Sequence, residues 1–292
     1  MTLYVTKADG TKQPFDRAKV IGTCLRMGAS VDLAETIAKS VESHIYGGVG
    51  TDEILRMIFT LLRKQKPTVK YHIDLRRALG LLRSKPDFEV FVQVLLSEEG
   101  YEVTPNRIVR GRCVEHEVDA IARKNGQAYI VEVKQHSDYH RPTGLDVARI
   151  ARAVLEDLTE GYEAGLSDLK VDSAMIVCNT RFSEHAKQYA KCRGILHIGW
   201  SSPPEYDLQT MIREKKAYPI TYLRDLKSST RDGLASRGIV ILKQLIHQQS
   251  GALSREIGVG KSEIEMLIER ATAILDARWE GHQMPANDNV KQ

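Results

Sequence analysis

The chain has 292 residues, 42% of them hydrophobic and 27% charged, a balance typical of globular protein and long enough for two domains or three small ones. Lysine and arginine exceed aspartate and glutamate by 42 to 38, a formal net charge of +4, which permits a nucleic-acid partner without requiring one. No apolar run approaches the roughly 20 residues of a membrane helix, and nothing at the start resembles a signal peptide. The scattered Cys24, Cys113, Cys178 and Cys192 give neither zinc-ligand spacing nor a disulfide framework, so a cytoplasmic protein with no membrane partner is expected.

In chain order, residues 3–6 are β-prone, Asp9-Gly10 reads as a hairpin turn, and Phe15 falls in the return strand. From Arg17 the apolar spacing is helical, with Val20, Ile21, Cys24 and Leu25 on one face. A second helix fits residues 33–45 and is broken by Gly47-Gly48-Val49-Gly50. Thr51 then reads as the N-cap of a third helix with Ile54, Met57 and Leu61 inward, and residues 71–82 form a fourth. Together these make a first domain of residues 1–85, with Ser84-Lys85-Pro86 at its boundary.

Beyond that boundary a helix starts at Phe88 and closes at Gly100. Strands are expected at 101–104, 114–123 and 128–134, with a basic turn (Arg107, Arg110, Arg112) after the first and Lys124-Asn125-Gly126 joining the last two. The second strand alternates, whereas Ala128-Tyr129-Ile130-Val131-Glu132-Val133 is almost continuously apolar, as a strand buried on both faces should be. A helix at 145–164, a strand at 173–178, a helix at 183–191 and a strand at 195–200 complete a mixed sheet flanked by helices, domain 86–204. Ser201-Ser202-Pro203-Pro204 marks a second boundary. The region 205–292 is helical, roughly at 208–214, 239–247, 253–257 and 261–277, and its polar tail after Gly281 is expected to be disordered.

Cleaving a phosphodiester requires an activated nucleophile and relief of charge on the phosphate, which a carboxylate-held divalent metal and a lysine together supply. Glu132 and Lys134 are two apart on a strand and so share a face. Asp119 lies on the preceding strand, where hairpin register places it beside Glu132, and the Val133 carbonyl is a further hard oxygen ligand. An isolated E-x-K is more often a solvated face. Here the strand is apolar, so its charges are costly unless used, and a second acid stands on the adjoining strand. Oxygen-only ligation favours Mg²⁺ or Mn²⁺. His116, His136 and His140 read as loop residues rather than ligands.

Residues of about 86–200 resemble the PD-(D/E)XK nuclease superfamily, closest to its Mrr-like restriction endonuclease branch. The resemblance is carried by Phe88-Glu89, Gly100-Tyr101-Glu102-Val103, Glu117-Val118-Asp119, Val131-Glu132-Val133-Lys134 and the later Cys178-Asn179-Thr180-Arg181-Phe182-Ser183. It implies Asp119 and Glu132 as metal ligands, Lys134 as the catalytic lysine and Glu89 as an accessory acid. Val118 stands where the superfamily's name has proline, and Glu117 is a supporting acid on the face of Asp119.

Residues 3 to about 82 resemble an ATP-cone, the regulatory nucleotide-binding module of ribonucleotide reductases and their repressor. The matching stretches are residues 5–10, 15–20, 50–54 and 71–77, in order. The resemblance implies Lys7, Asp16, Lys19 and Thr51 as contacts to ATP or dATP, with Ala8 replacing the family's usual basic residue. A cone kept only as a scaffold is the plainer reading. Near the C-terminus, Gly258-Val259-Gly260-Lys261-Ser262 is no P-loop, because Arg255 stands where its first glycine belongs. Either a helix-hairpin-helix gripping DNA phosphate through Gly258, Gly260 and Lys261, or a simple helical packing element, fits that turn.

The combined expectation is a metal-dependent DNA endonuclease regulated by ATP or dATP, with homo-oligomerisation allowed. A nucleotide-sensing DNA-binding regulator with a non-cleaving nuclease-like core is the alternative, and an interaction scaffold a third.

Overall fold

A computed structural model describes residues 3–7, 10–27, 29–65 and 71–277. Two compact units are present, one within Met1–His72 and one spanning Ile73–Leu275. Among the described residues no helix is long and apolar enough to cross a membrane.

In the first unit β1 (Tyr4–Thr6) pairs antiparallel with β2 (Lys12–Pro14). Gly10, at φ +80°, supplies the turn conformation that a side chain resists; Asp9 and Ala8 lie outside the described residues. The Asp16 carboxylate caps α1 (Arg17–Arg26) by accepting the Ala18 N–H at 2.9 Å, and Ser30 caps α2 (Val31–His44). Thr51 is the first residue of α3 (Thr51–Gln65) rather than its cap, because the Gly50 carbonyl already accepts from Glu53 and Ile54. Ile54, Ile58 and Leu62 are buried, whereas Met57 and Leu61 are half-buried. These side chains join Val20, Cys24, Ala34 and Ile37 in one core.

The expected helix at 71–82 is reduced to α4 (Leu75–Gly80), which Asp74 caps by accepting the Arg77 N–H at 3.1 Å. It belongs to the second unit. The chain then turns through residues 84–88, with Lys85 extended (φ −125°, ψ 135°), into α5 (Glu89–Glu98). A five-stranded mixed sheet follows, in the order β3 (Glu102–Arg110), β4 (Glu115–Lys124), β5 (Gln127–Lys134), β6 (Ser173–Cys178), β7 (Leu196–Ile198). The first two neighbouring pairs are antiparallel and the last two parallel.

β3 runs further than the sequence suggests. Arg107 and Arg110 are paired with Val118 and Glu115 of β4, so only Arg112 of the expected basic turn lies in a turn. Pro105 is tolerated because β3 is an edge strand, where a missing N–H costs no ladder bond. Asn125 (φ +53°) and Gly126 (φ +78°) form the tight β4–β5 connection. The alternation seen in β4 does not separate core from solvent, since Val118 through Ala122 are all buried. α6 (Leu145–Glu163) and α7 (Glu184–Cys192) bury Ala151, Leu155, Leu158 and Ala186 in one cluster with Ile121, Ile130 and Ile176 of the sheet.

The rest of this unit is helical: α8 (Leu208–Glu214), a short turn at Ile220–Tyr222, α9 (Ser228–Ser236), α10 (Leu242–Ile246), α11 (Ser250–Ile257) and α12 (Lys261–Asp276). Helix α9 was hidden by its polar composition, with Leu234 as its apolar anchor. Specific bonds tie this region to α4 and α5. The Thr221 hydroxyl donates to the Ala78 carbonyl at 2.8 Å, the Tyr206 hydroxyl to Glu99 at 2.9 Å, and Lys243 pairs with Glu98 at 2.7 Å.

Candidate active site

The β4–β5 ladder carries the site. Its last pair is Ala120↔Val131. Beyond it the Val133 N–H donates not to β4 backbone but to Asp119 Oδ2, at 2.8 Å. Asp119 is thereby fixed where the two strands part, beside Glu132 and Lys134 at the end of β5. Lys134 Nζ lies 2.9 Å from Glu132 Oε1. On the other side of β5, Glu132 and Lys134 are in register with Ile176 and Cys178 of β6, so the strand bearing them is central.

Glu89 opens α5 and is only 3% exposed. Its burial raises the carboxyl pKa above the ordinary value, and the Asp119 charge adds to this, while Lys85 opposes it. Asn106, at φ +27°, a conformation asparagine adopts more readily than most residues, points its amide at Glu89 Oε2 at 3.4 Å. Gln93, one turn along α5, donates to both Asn106 Oδ1 (2.8 Å) and the Asp119 carbonyl (2.9 Å). The leading helix and β4 are thus cross-linked by side-chain amides behind the acids.

Three residues of this arrangement were not anticipated. Lys85 Nζ is 3.1 Å from Glu89, 3.7 Å from Glu117 and 3.7 Å from Asp119. The hydrogen bond to Glu89 holds its pKa above the ordinary lysine range despite partial burial. The only signal in the sequence was the four-residue spacing to Glu89, obscured by Pro86. Asn179, fully buried, accepts the His136 N–H and donates to the His136 carbonyl, both at 2.8 Å, acting as a surrogate strand for the chain just after Lys134. Gln135 donates to the carbonyls of Gly80 and Leu82 at 3.1 Å, fixing the segment after α4 to the same strand end.

The histidines are engaged elsewhere. His116 bonds Asp157 at 2.8 Å and His136 bonds Thr143 at 3.1 Å; burial holds the His136 pKa below its ordinary value. Among the described residues no three histidine, cysteine or acidic side chains are drawn together as a finished metal cage. The oxygen donors do suit Mg²⁺ or Mn²⁺, and Lys85 demonstrates that Glu89 and Asp119 share one cationic neighbour.

The remaining sequence-derived residues fall outside this cluster. Lys7 and Thr51 are brought to adjoining positions by the parallel bridge Thr6↔Gly50, and Lys19 lies 3.9 Å from Asp16. Gly258 (φ +68°) caps α11, the Gly260 carbonyl opens α12 by accepting from Glu263 and Ile264, and Lys261 pairs with Glu265 at 3.4 Å. A Cβ on Gly258 or Gly260 would meet nothing within 4 Å, so the turn between these helices is open to solvent.

Residues 83–198 match the restriction endonuclease family model (Mrr catalytic type), and residues 218–275 match the AF1548-like C-terminal family. An uncharacterized protein of Archaeoglobus fulgidus is 34% identical over 182 residues, covering 62% of this chain and 98% of that protein. A second uncharacterized protein of the same organism is 48% identical over 40 residues, 14% of this chain and 85% of its own length. The crystal structure of the protein of unknown function AF1548 superposes with a TM-score of 0.55 at 34% identity, over 64% of this chain and 96% of that one. The chain belongs to the AF1548-like family, with a restriction endonuclease domain at its centre.

Proposed function

We propose that the chain is a divalent-metal-dependent endonuclease acting on DNA, and that binding of ATP or dATP to the first unit regulates its cleavage or assembly. The observation that carries the catalytic part is the Asp119–Val133 hydrogen bond at 2.8 Å beside the Lys134–Glu132 contact at 2.9 Å, at the strand end of a restriction endonuclease domain. Asp119, Glu132 and the Val133 carbonyl would hold Mg²⁺ or Mn²⁺, with Glu89 as the accessory acid. Such an ion, when bound, polarises the phosphate and acidifies a coordinated water. Lys134 neutralises charge building on the phosphate, and its pairing with Glu132 keeps it beside the reacting oxygen. Asn179 and Gln135 hold the backbone that presents it.

The nucleotide part rests on the ATP-cone resemblance, with Lys7 next to Thr51 at the hairpin edge and Lys19 at the start of α1. The turn Gly258–Lys261, open to solvent at a helix N-terminus, suits a DNA phosphate held without sequence reading.

Incubating the protein with supercoiled, linear, single-stranded and branched DNA and Mg²⁺, with and without ATP or dATP, tests the proposal. Asp119→Ala and Lys134→Ala are each expected to slow cleavage by at least about 100-fold, the usual loss on removing one electrostatic contributor to such a transition state. Cleavage that survives in both variants refutes the assignment. Equilibrium dialysis of ATP and dATP against the wild type and Lys19→Ala decides the nucleotide part: absent binding in the wild type refutes it, and equal binding in both removes Lys19 as a contact.

A further inference from the structure

We propose that Lys85 is a built-in cation that competes with the divalent metal for the acidic cluster, so that metal binding is weakened while this side chain stays in place. The inference rests on the metal-dependent nuclease reading above. Its basis is geometric: one ammonium lies within 3.1–3.7 Å of Glu89, Glu117 and Asp119, contributed by α5 and β4.

Without a counter-cation this cluster is unfavourable. Glu89 is buried with a 4%-exposed side chain, and the Asp119 side chain is 10% exposed, so their like charges are poorly screened. Asp119 Oδ2 is committed to the Val133 N–H, which leaves Oδ1 to face the cation, and Oδ1 is the atom that meets Lys85. The same oxygen is the less committed one that Asp119 can offer a metal. A divalent ion drawn to it would meet the repulsion of the Lys85 ammonium at the same carboxylate.

The lysine is built to leave. Its side chain is 63% exposed although its partners are not, and it projects from an extended residue in the turn before α5 rather than from a helix face. Lys134 also pairs with a proposed ligand, Glu132, at 2.9 Å; Lys85 differs in facing Glu89, Glu117 and Asp119 together.

The test is Mn²⁺ binding to the full chain without DNA, followed by electron paramagnetic resonance of the free ion, for wild type, Lys85→Met, Lys85→Gln, Lys85→Arg and Asp119→Asn, with circular dichroism to confirm folding. Removing one unit charge at contact distance in a largely solvated setting is expected to tighten binding about tenfold in Lys85→Met and Lys85→Gln. Lys85→Arg should return it to the wild-type value. If wild type binds and the two neutral variants bind equally or more weakly, Lys85 is not a competitor, and the nuclease reading stands. If no variant binds and wild type is indistinguishable from Asp119→Asn, both the competition and the metal-dependent reading fall.

Discussion

Replacing Asn179 by alanine removes two hydrogen bonds to the backbone of His136. The side chain is fully buried, and its amide satisfies both the N–H and the carbonyl of His136 at 2.8 Å. Leaving a buried backbone group unpaired costs about 1–3 kcal/mol, and water entering the vacated space recovers part of that. With His136 only partly buried, a net loss of about 2–4 kcal/mol is expected for the pair. Urea unfolding followed by circular dichroism measures it as a lowered midpoint with unchanged slope. Because His136 stands two residues after Lys134, the same variant should reduce cleavage even under conditions where it is fully folded. Asn179→Asp keeps the acceptor for the His136 N–H but faces the carbonyl with a second acceptor, and should lose at least as much stability. A loss below about 0.5 kcal/mol in Asn179→Ala, the range of ordinary surface changes, would refute the reasoning.

Two further outcomes follow from the packing and electrostatics. Burial gives Glu89 a raised pKa, so the folded protein binds its proton more tightly than the unfolded chain. Stability therefore falls as pH rises from the ordinary value of 4.5 to the folded one, and stays lowered above it. In Glu89→Gln, measured in EDTA by urea midpoints, the gap should open in favour of the variant across that window and then level off; a gap that is flat or of opposite sign contradicts it. Gly161 of α6 lies where an added Cβ would stand 2.7 Å from the Gly111 carbonyl carbon and 2.8 Å from its Cα, both backbone atoms. Gly161→Ala should cost about 1–3 kcal/mol or more, whereas Gly251→Ala, with nothing within 4 Å, should be neutral or stabilising by up to about 1 kcal/mol. Equal melting temperatures for the two variants would show that the close approach is not maintained in solution.

Most elements were legible in the sequence wherever a local rule acted alone. Asn125-Gly126 fixed the β4–β5 hairpin, the apolar run of β5 marked a central strand, and the period of α6 matched a helix with one buried stripe. Elements set by a partner were not. β3 extends through Arg110 because β4 pairs with it, α3 buries Ile58 and Leu62 because they share a core with residues of α1 and α2, and α9 forms from a polar stretch around one buried leucine. The C-terminal helices lie in one compact unit with the sheet although Pro203-Pro204 punctuates the chain between them.

The candidate site divides along the same line. Spacing on a strand was enough to expect Glu132 and Lys134 on one face, and hairpin register to set Asp119 on the neighbouring strand, because period and turn length are properties of the local chain. What Asp119 does there, accepting the Val133 N–H where the ladder ends, depends on how two strands diverge. Lys85 and Asn179 reach the site from 34 residues before Asp119 and 45 residues after Lys134, and their own surroundings do not say which groups they will meet there. A lysine acquires a role among three carboxylates, and a buried amide becomes a strand's missing partner, only when the fold brings distant segments together. Sequence alone determined which residue types stand at chemically useful spacing; tertiary structure decided that Lys85 lies beside Glu89, Glu117 and Asp119 and that Asn179 holds the chain after Lys134.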